Sequence, residues 1–205
     1  FRRLFCGKEA CHKKINYKAA RSGGVRFSMK KFVLIFLVLS SCSYADQPPD
    51  WNEFIVQSEN KKWSAVILRL GKSEEPWKDD WVLNVYEGFH VSSLAPNILP
   101  AWSTSYNPSG YSGGYLSNDG SAFSYVEFWY YPNRPVVQIY RQECSIQKNG
   151  SYFKVGSKLQ QTASHQLWLK EGGNVRYYTT DGKLVLQLET VKGLRKLRAV
   201  CNEKT

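Results

Sequence analysis

From Trp51 onward, apolar and polar positions alternate in short bursts separated by polar text rich in turn residues. That is the pattern of half-buried β-strands, whose side chains point to opposite faces with a period of two. Phe54-Ile55-Val56 closes on Ser58-Glu59-Asn60-Lys61. Residues 63–70 then alternate, with Trp63, Ala65, Ile67 and Arg69 on one side and Ser64, Val66, Leu68 and Leu70 on the other. Further strands are predicted at 81–86, 122–131, 136–140, 166–169, 175–178 and 184–188. Residues 71–80 read as an acidic loop. Residues 87–114, with Pro96, Pro100 and Pro108, read as irregular. Asn149-Gly150 and Asp181-Gly182 are hairpin pairs that tolerate positive φ. Residues 191–200 fit either a closing helix, through Leu194 and Leu197, or a basic strand. The expected fold is mainly β, a single domain over 51–205 built of antiparallel β-meanders. It is of propeller-blade or sandwich type, with little helix.

A faint repeat runs through this text. Ser58-Glu59-Asn60-Lys61-Lys62-Trp63-Ser64-Ala65-Val66 echoes Ser117-Asn118-Asp119-Gly120-Ser121-Ala122-Phe123-Ser124-Tyr125-Val126 with one gap, and Thr179-Thr180-Asp181-Gly182 begins a shorter third version. Such periods suggest stacked meanders of blade type. Two or three units are too few to close a ring that typically needs 4–8 blades. The Ser-x-Asp-Gly turn resembles the blade turn of bacterial β-propeller proteins. The stretch from Ser117 through Ser157-Lys158-Leu159-Gln160, Ser164-His165-x-x-Trp168-Leu169 and Thr180-Asp181-Gly182 is similar to a group of uncharacterised exported bacterial proteins, over about residues 50–193. The resemblance implies an exported β fold and brings no activity with it.

The N-terminal text supports export. Met29 is the only methionine, and it is followed by Lys30-Lys31 and eight unbroken apolar residues, 32–39. A positive region, a short apolar core and then small residues is the order of a secretory signal. A membrane-spanning helix needs roughly 20 apolar residues, so this run is too short to span. Residues 1–28 are expected to be an upstream extension foreign to the native protein, 29–45 a signal segment and 46–50 a tether. Leu39-Ser40-Ser41-Cys42 resembles the lipobox of bacterial lipoproteins. That resemblance implies cleavage before Cys42, a lipid on it and, with Ser43 following, a place at the outer membrane. Ser43-Tyr44-Ala45 instead fits ordinary signal peptidase, which would release a soluble periplasmic or secreted protein.

Charge changes its meaning once the chain is divided. The whole sequence carries net +11, but residues 1–42 hold ten basic residues and one acid, net +9. The remainder holds 18 basic and 16 acidic residues, net +2, so nucleic acid is not an expected partner. Of five cysteines, Cys6 and Cys11 lie before Met29, and Cys42 is lipid-bearing or removed. Cys144 and Cys201 remain, either as a disulfide or as two buried thiols. Export favours the disulfide.

No catalytic constellation stands out. Gly110-Tyr111-Ser112-Gly113-Gly114 matches G-x-S-x-G, and Asp119 and His165 follow in hydrolase order. That motif works on a strand–turn–helix, and no strand–helix alternation surrounds it here. His90 and His165 stand far apart without metal-ligand spacing, and the acids of 74–80 lack the spacing of a calcium loop. Phosphate-binding glycine motifs are absent, and no cofactor or metal is expected.

Aromatic residues are the one excess. Trp and Tyr combine apolar faces with a polar tip, which suits sugar chains or partner proteins. The candidate binding residues are Trp102, Tyr106, Tyr111, Trp129 and Tyr131. Trp129 is expected mid-sheet and buried, and Tyr106 and Tyr111 exposed in a Gly- and Pro-rich loop. Along 122–131, Phe123, Tyr125, Glu127, Trp129 and Tyr131 share one face, and Ala122, Ser124, Val126, Phe128 and Tyr130 the other. The expected function is non-enzymatic recognition of an envelope protein or glycan. The alternative is a hydrolase of envelope or host polymers using Glu127 or Ser112, which would need a second carboxylate such as Asp119 or Glu143 about 5–10 Å away in one cleft.

Overall fold

The structure is a computed structural model that describes residues 49–88, 98–161 and 165–201, all within one compact unit, Ala45–Thr205. The signal segment, Cys42, most of the tether and His90 lie outside the described residues.

Thirteen strands and no α-helix form among the described residues. Sheet 1 is a four-strand meander of β1 (Phe54–Gln57), β2 (Trp63–Arg69), β3 (Trp81–Glu87) and β4 (Trp102–Tyr106). Sheet 2 repeats the plan with β5 (Tyr115–Leu116), β6 (Phe123–Val126), β7 (Pro135–Tyr140) and β8 (Ser145–Asn149). A short pair, β9 (Gln160–Gln161) and β10 (Gln166–Leu167), leads into sheet 3, made of β11 (Val175–Thr180), β12 (Lys183–Thr190) and β13 (Gly193–Arg198). All pairings are antiparallel between chain neighbours. Residues 191–200 thus take the strand option, because β13 pairs along β12 from Thr190↔Gly193 to Val185↔Arg198 and buries Leu197.

Sheet 2 is the middle layer. Register puts Phe123, Tyr125 and Tyr140 on one face, where they join Ala65, Ile67, Trp81, Leu83, Val85, Trp102 and Tyr106 of sheet 1. Val126, Val137 and Ile139 occupy the opposite face and pack with Val175, Tyr177, Leu186, Leu188 and Leu197 of sheet 3. Both faces of β6 are therefore buried, which is why that strand carries no polar alternation.

Four strands escaped the sequence pattern, the two-residue β5 and β9 and the longer β4 and β8. β4 lies in text read as irregular. Its inward residues, Trp102 and Tyr106, are large, while Ser103 and Ser105 face outward on an edge strand with little apolar signal. β8 is equally polar, with Ile146 its one large apolar residue. Two other segments differ from expectation. Asn149-Gly150 makes no hairpin: Gly150 opens a 3-10 turn, Gly150–Phe153, packed so closely on the Tyr131 carbonyl that a Cβ there would lie 2.5 Å from it. Regular pairing of the long aromatic strand stops at Val126, and Trp129 forms only an isolated bridge to Leu167.

The repeat has a physical basis. In the first copy the Ser58 hydroxyl donates to Asn60 Oδ1 (2.7 Å) and accepts from the Trp63 N–H (3.1 Å). In the second, the Ser117 hydroxyl donates to Asp119 Oδ1 (2.6 Å) and accepts from the Ala122 N–H (3.0 Å). The two turns also touch, since the Asn60 N–H and side-chain amide donate to Asn118 Oδ1 (2.9 Å) and Asn118 O (2.8 Å). Each turn needs one left-handed residue, Lys61 at φ 59° and Gly120 at φ 70°. A non-glycine residue pays about 1–2 kcal/mol there. At Gly120 a Cβ would also lie 2.2 Å from the Trp63 ring. The equivalent positions should therefore respond with opposite signs. Lys61→Gly should raise stability by about 0.5–1 kcal/mol, and Gly120→Ala should lower it by about 2 kcal/mol or more. Urea titrations of the two variants check this. Loss of stability in Lys61→Gly would mean the turns are not equivalent.

Candidate functional site

A cleft of about 420 Å³ opens where the second turn meets the hairpin between β7 and β8. Trp63 and Trp102 line it from sheet 1, and Asp119, Gly120 and Ser121 from the turn. Arg141, Gln142 and Glu143 come from the hairpin, and Val200 and Cys201 follow β13. Its size lies in the 300–1,000 Å³ range of small-ligand sites.

Each wall has a local cause. Trp102 is buried, and its indole N–H donates to the Gly120 carbonyl at 2.7 Å, which fixes the ring against the turn. Asp119 Oδ1 accepts from the Ser117 hydroxyl, the Ser121 N–H (3.0 Å) and the Ser121 hydroxyl (2.9 Å). Burial works against its charge, but these hydrogen bonds outweigh it and hold the carboxyl below its usual range. Asp119 is thus a carboxylate at neutral pH, with one oxygen committed to the turn. The far wall is held by the Cys144–Cys201 disulfide, with Cα atoms 5.7 Å apart. Arg141 reinforces it, with its N–H donating to Cys144 O (2.9 Å) and its guanidinium to Ala199 O (2.5 Å). Glu143 and Gln142 are exposed at the rim.

The residues singled out from the sequence disperse. Trp102 reaches the cleft. Tyr106 is 5% exposed, which corrects the expectation of an exposed loop residue: it ends β4 and packs on Phe123 and Tyr140. Its hydroxyl has no hydrogen-bond partner among the described residues, and burial, foremost, raises its pKa well above the usual tyrosine range. Nearby, the Tyr140 hydroxyl donates to Gln138 Oε1 (2.8 Å), and burial pushes its pKa up to about 12. Tyr111 is half-buried, next to Gly110, whose carbonyl accepts the Asp50 (2.8 Å) and Trp51 (3.1 Å) N–H groups. Trp129 is half-buried rather than mid-sheet. It stacks on His165 (centroids 4.7 Å), and Tyr131 meets the same imidazole edge-on at 6.4 Å. The five residues do not form one contiguous surface.

The carboxylate and serine proposed for hydrolysis have other partners. Glu127 is 6% exposed; Oε2 accepts from the Tyr125 hydroxyl (3.1 Å), and Oε1 accepts from the N–H groups of Phe128 (2.9 Å) and Trp129 (3.4 Å). Desolvation outweighs these bonds and raises its pKa above the usual carboxylate value. Glu127 does not line the cleft. The Ser112 hydroxyl lies in a loop without a following helix and donates to Asp50 (3.2 Å). Of the acids at 74–80, Asp79 is taken up by the Arg69 guanidinium and the Ser73 N–H (3.1 Å).

Trp63, Arg141 and Gln142 entered no sequence argument as site residues. The repeat could have raised Trp63, since it follows the first turn as Ala122 follows the second. Arg141 and Gln142 become site residues only because the disulfide draws residues 200–201 against the hairpin. Comparison with protein-family models, curated proteins and solved structures finds none that matches this chain. What is defined is therefore a class: a mainly β antiparallel protein of stacked meanders with a disulfide. The disulfide fits an oxidising, extracytoplasmic setting.

Proposed function

We propose that this chain is a non-catalytic recognition module of the bacterial envelope that binds a glycan in the cleft beside the second turn. The observation that carries the reading is the composition of that cleft: the half-buried Trp63 ring, backed by the buried Trp102, stands next to a constellation of Asp119, Ser121, Arg141, Gln142 and Glu143. A sugar ring offers an apolar C–H face and a rim of hydroxyls. Aromatic planes take the first, and planar carboxylate, amide and guanidinium groups take the second. The signal-like segment at 29–45 supports an envelope address, either as a lipoprotein carried on Cys42 at the outer membrane or as a soluble periplasmic or secreted protein. Hydrolysis through Glu127 gains no support, because Glu127 sits in the core with its oxygens occupied by Tyr125, Phe128 and Trp129.

The test uses rim residues whose loss leaves the core intact. Gln142→Ala combined with Glu143→Ala should keep the melting temperature of the parent. The variant should lose roughly 10-fold or more in affinity for the oligosaccharide best retained on a glycan array, as each lost hydrogen bond to a charged group is worth about 1.5–3 kcal/mol. Retention of full affinity would place recognition elsewhere, and release of reducing ends from that oligosaccharide would make the protein a hydrolase.

A further inference from the structure

Charge is strongly polarised between the outer layers. The sheet 1 segment, residues 50–106, holds five basic and eight acidic residues, net −3. Residues 165–201, which build sheet 3, hold seven basic and three acidic residues, net +4. Register shows where that charge lies. Val175, Tyr177, Leu186, Leu188 and Leu197 point into the core, so their alternates point away from it. Arg176, Gln187 and Lys196 form one cross-strand row on that outer face, and Tyr178, Val185 and Arg198 form the next. Lys183 stands beside Thr180 at the hairpin end. Arg176, Lys183, Lys196 and Arg198 are all exposed. Glu189, opposite the exposed Leu194, is the one acid in these strands.

We propose that the outer face of sheet 3 docks on the anionic phospholipid surface of a membrane. Arg176 and Lys196 stand two strand spacings apart, about 10 Å, and Arg198 lies about 7 Å further along β13 from Lys196. These separations are close to a Debye length of about 8–10 Å, so the cations act together on one surface. They spread over three strands in two dimensions, which matches a lattice of phosphate headgroups better than a single polyanionic chain lying in a groove. The Lys196 ammonium lies 5.5 Å from the centroid of the half-buried Tyr178 ring, and Val185 between them and Arg198 is buried, so the exposed apolar side chain of this face is Leu194, 47% exposed, beside the cations. An oxidising compartment, read from the disulfide, sets nucleic acid aside as the partner. The bland account of basic residues on a sheet edge is protection against strand pairing. β11 and β13 are both edges of sheet 3, so this covers Arg176, Lys196 and Arg198, but not Lys183 on the central β12 or the charge opposition between the outer layers.

The experiment uses the full chain and equimolar phosphatidylglycerol–phosphatidylcholine vesicles. The chain should sediment with these vesicles and not with pure phosphatidylcholine, and rising salt should release it. Vesicles should protect Lys183 and Lys196 from acetylation, read by mass spectrometry, while Lys72 on the sheet 1 side stays reactive. Each cation near such a surface is worth about 1 kcal/mol, or about five-fold in partitioning. Double reversal, Arg176→Glu with Lys196→Glu, should therefore cost about 100-fold or more. Both proteins share residues 1–48, so the difference between them reads the sheet alone. Glu74→Lys should change nothing. Three results would overturn the proposal: unprotected Lys183 and Lys196 on anionic vesicles, a reversed variant that partitions like the parent, or protection given by soluble dextran sulfate or DNA but not by vesicles.

Discussion

Trp168→Ala should destabilise the protein by about 3–5 kcal/mol for the lost volume alone. Trp168 has no exposed surface and is the largest fully buried side chain of the described residues. Its ring lies 4.7 Å from that of Phe153, in the cluster that joins sheets 2 and 3. Its indole N–H donates to the Glu127 carbonyl at 2.8 Å, so truncation also leaves a buried acceptor unpaired, at a further cost of about 1–3 kcal/mol. Trp168 also pins the chain on its other side, since its carbonyl accepts the Val191 N–H at 2.9 Å, beside the bridge of Leu169 to Thr190. Trp168→Phe keeps much of the volume and should cost less than half as much. Trp129→Ala is the contrast. That ring is half-buried and stacked on His165; its removal should cost about 0.5–1.5 kcal/mol for the stack plus the burial of part of one ring, and less in total than the loss of Trp168. Equilibrium urea unfolding of the three variants checks the ranking, and a Trp129 loss equal to that of Trp168 would contradict the packing described above.

Removing the disulfide as Cys144→Ala with Cys201→Ala should cost about 4 kcal/mol. The cysteines are 57 residues apart, and the chain-entropy relation gives about that figure for a loop of this length. For a domain near 150 residues, each kcal/mol moves the melting temperature by roughly 2–4 °C, so the shift should be about 8–16 °C. The larger consequence is local. The disulfide and the Arg141–Ala199 contact together hold residues 199–201 against the hairpin that lines the cleft. Glycan affinity should therefore fall at temperatures where the sheets persist, with Arg141 left as the sole side-chain tie among the described residues. Calorimetry on oxidised, reduced and double-alanine protein separates the two effects. Equal affinity in all three at low temperature would show that the wall stands without the bond.

The strands most legible in the text are those whose two faces differ in environment. β2 and β3 alternate because sheet 1 has one face in the core, and Trp63, Ala65, Ile67, Trp81, Leu83 and Val85 lie on it as the pattern implies. β6 was legible as a strand but misleading about function. Rings on both of its faces suggested a recognition surface, whereas a layer of protein covers each side. Tyr106 shows the same difficulty. Pro108 and Gly110 beside it argue for a loop, but the loop starts one residue later, and Tyr106 closes the strand register opposite Trp81. A local pattern reports which residues avoid water; it does not report whether another sheet or a ligand covers them.

The repeated Ser-x-Asn/Asp turn and the strand-and-turn pattern follow from short-range chemistry. Hydroxyl and amide caps, positive-φ positions and a two-residue period all act within a few residues. The cleft does not follow in this way. Trp63, Asp119, Arg141 and Cys201 are distant in sequence, and they meet only because sheet 1 stacks on sheet 2 and a covalent bond draws the end of β13 to the β7–β8 hairpin. The basic face of sheet 3 is similar in kind. Arg176, Lys183 and Lys196 are scattered charges in the sequence. They become one surface because three antiparallel strands at fixed register set alternate side chains on the same side, about 5 Å apart from strand to strand.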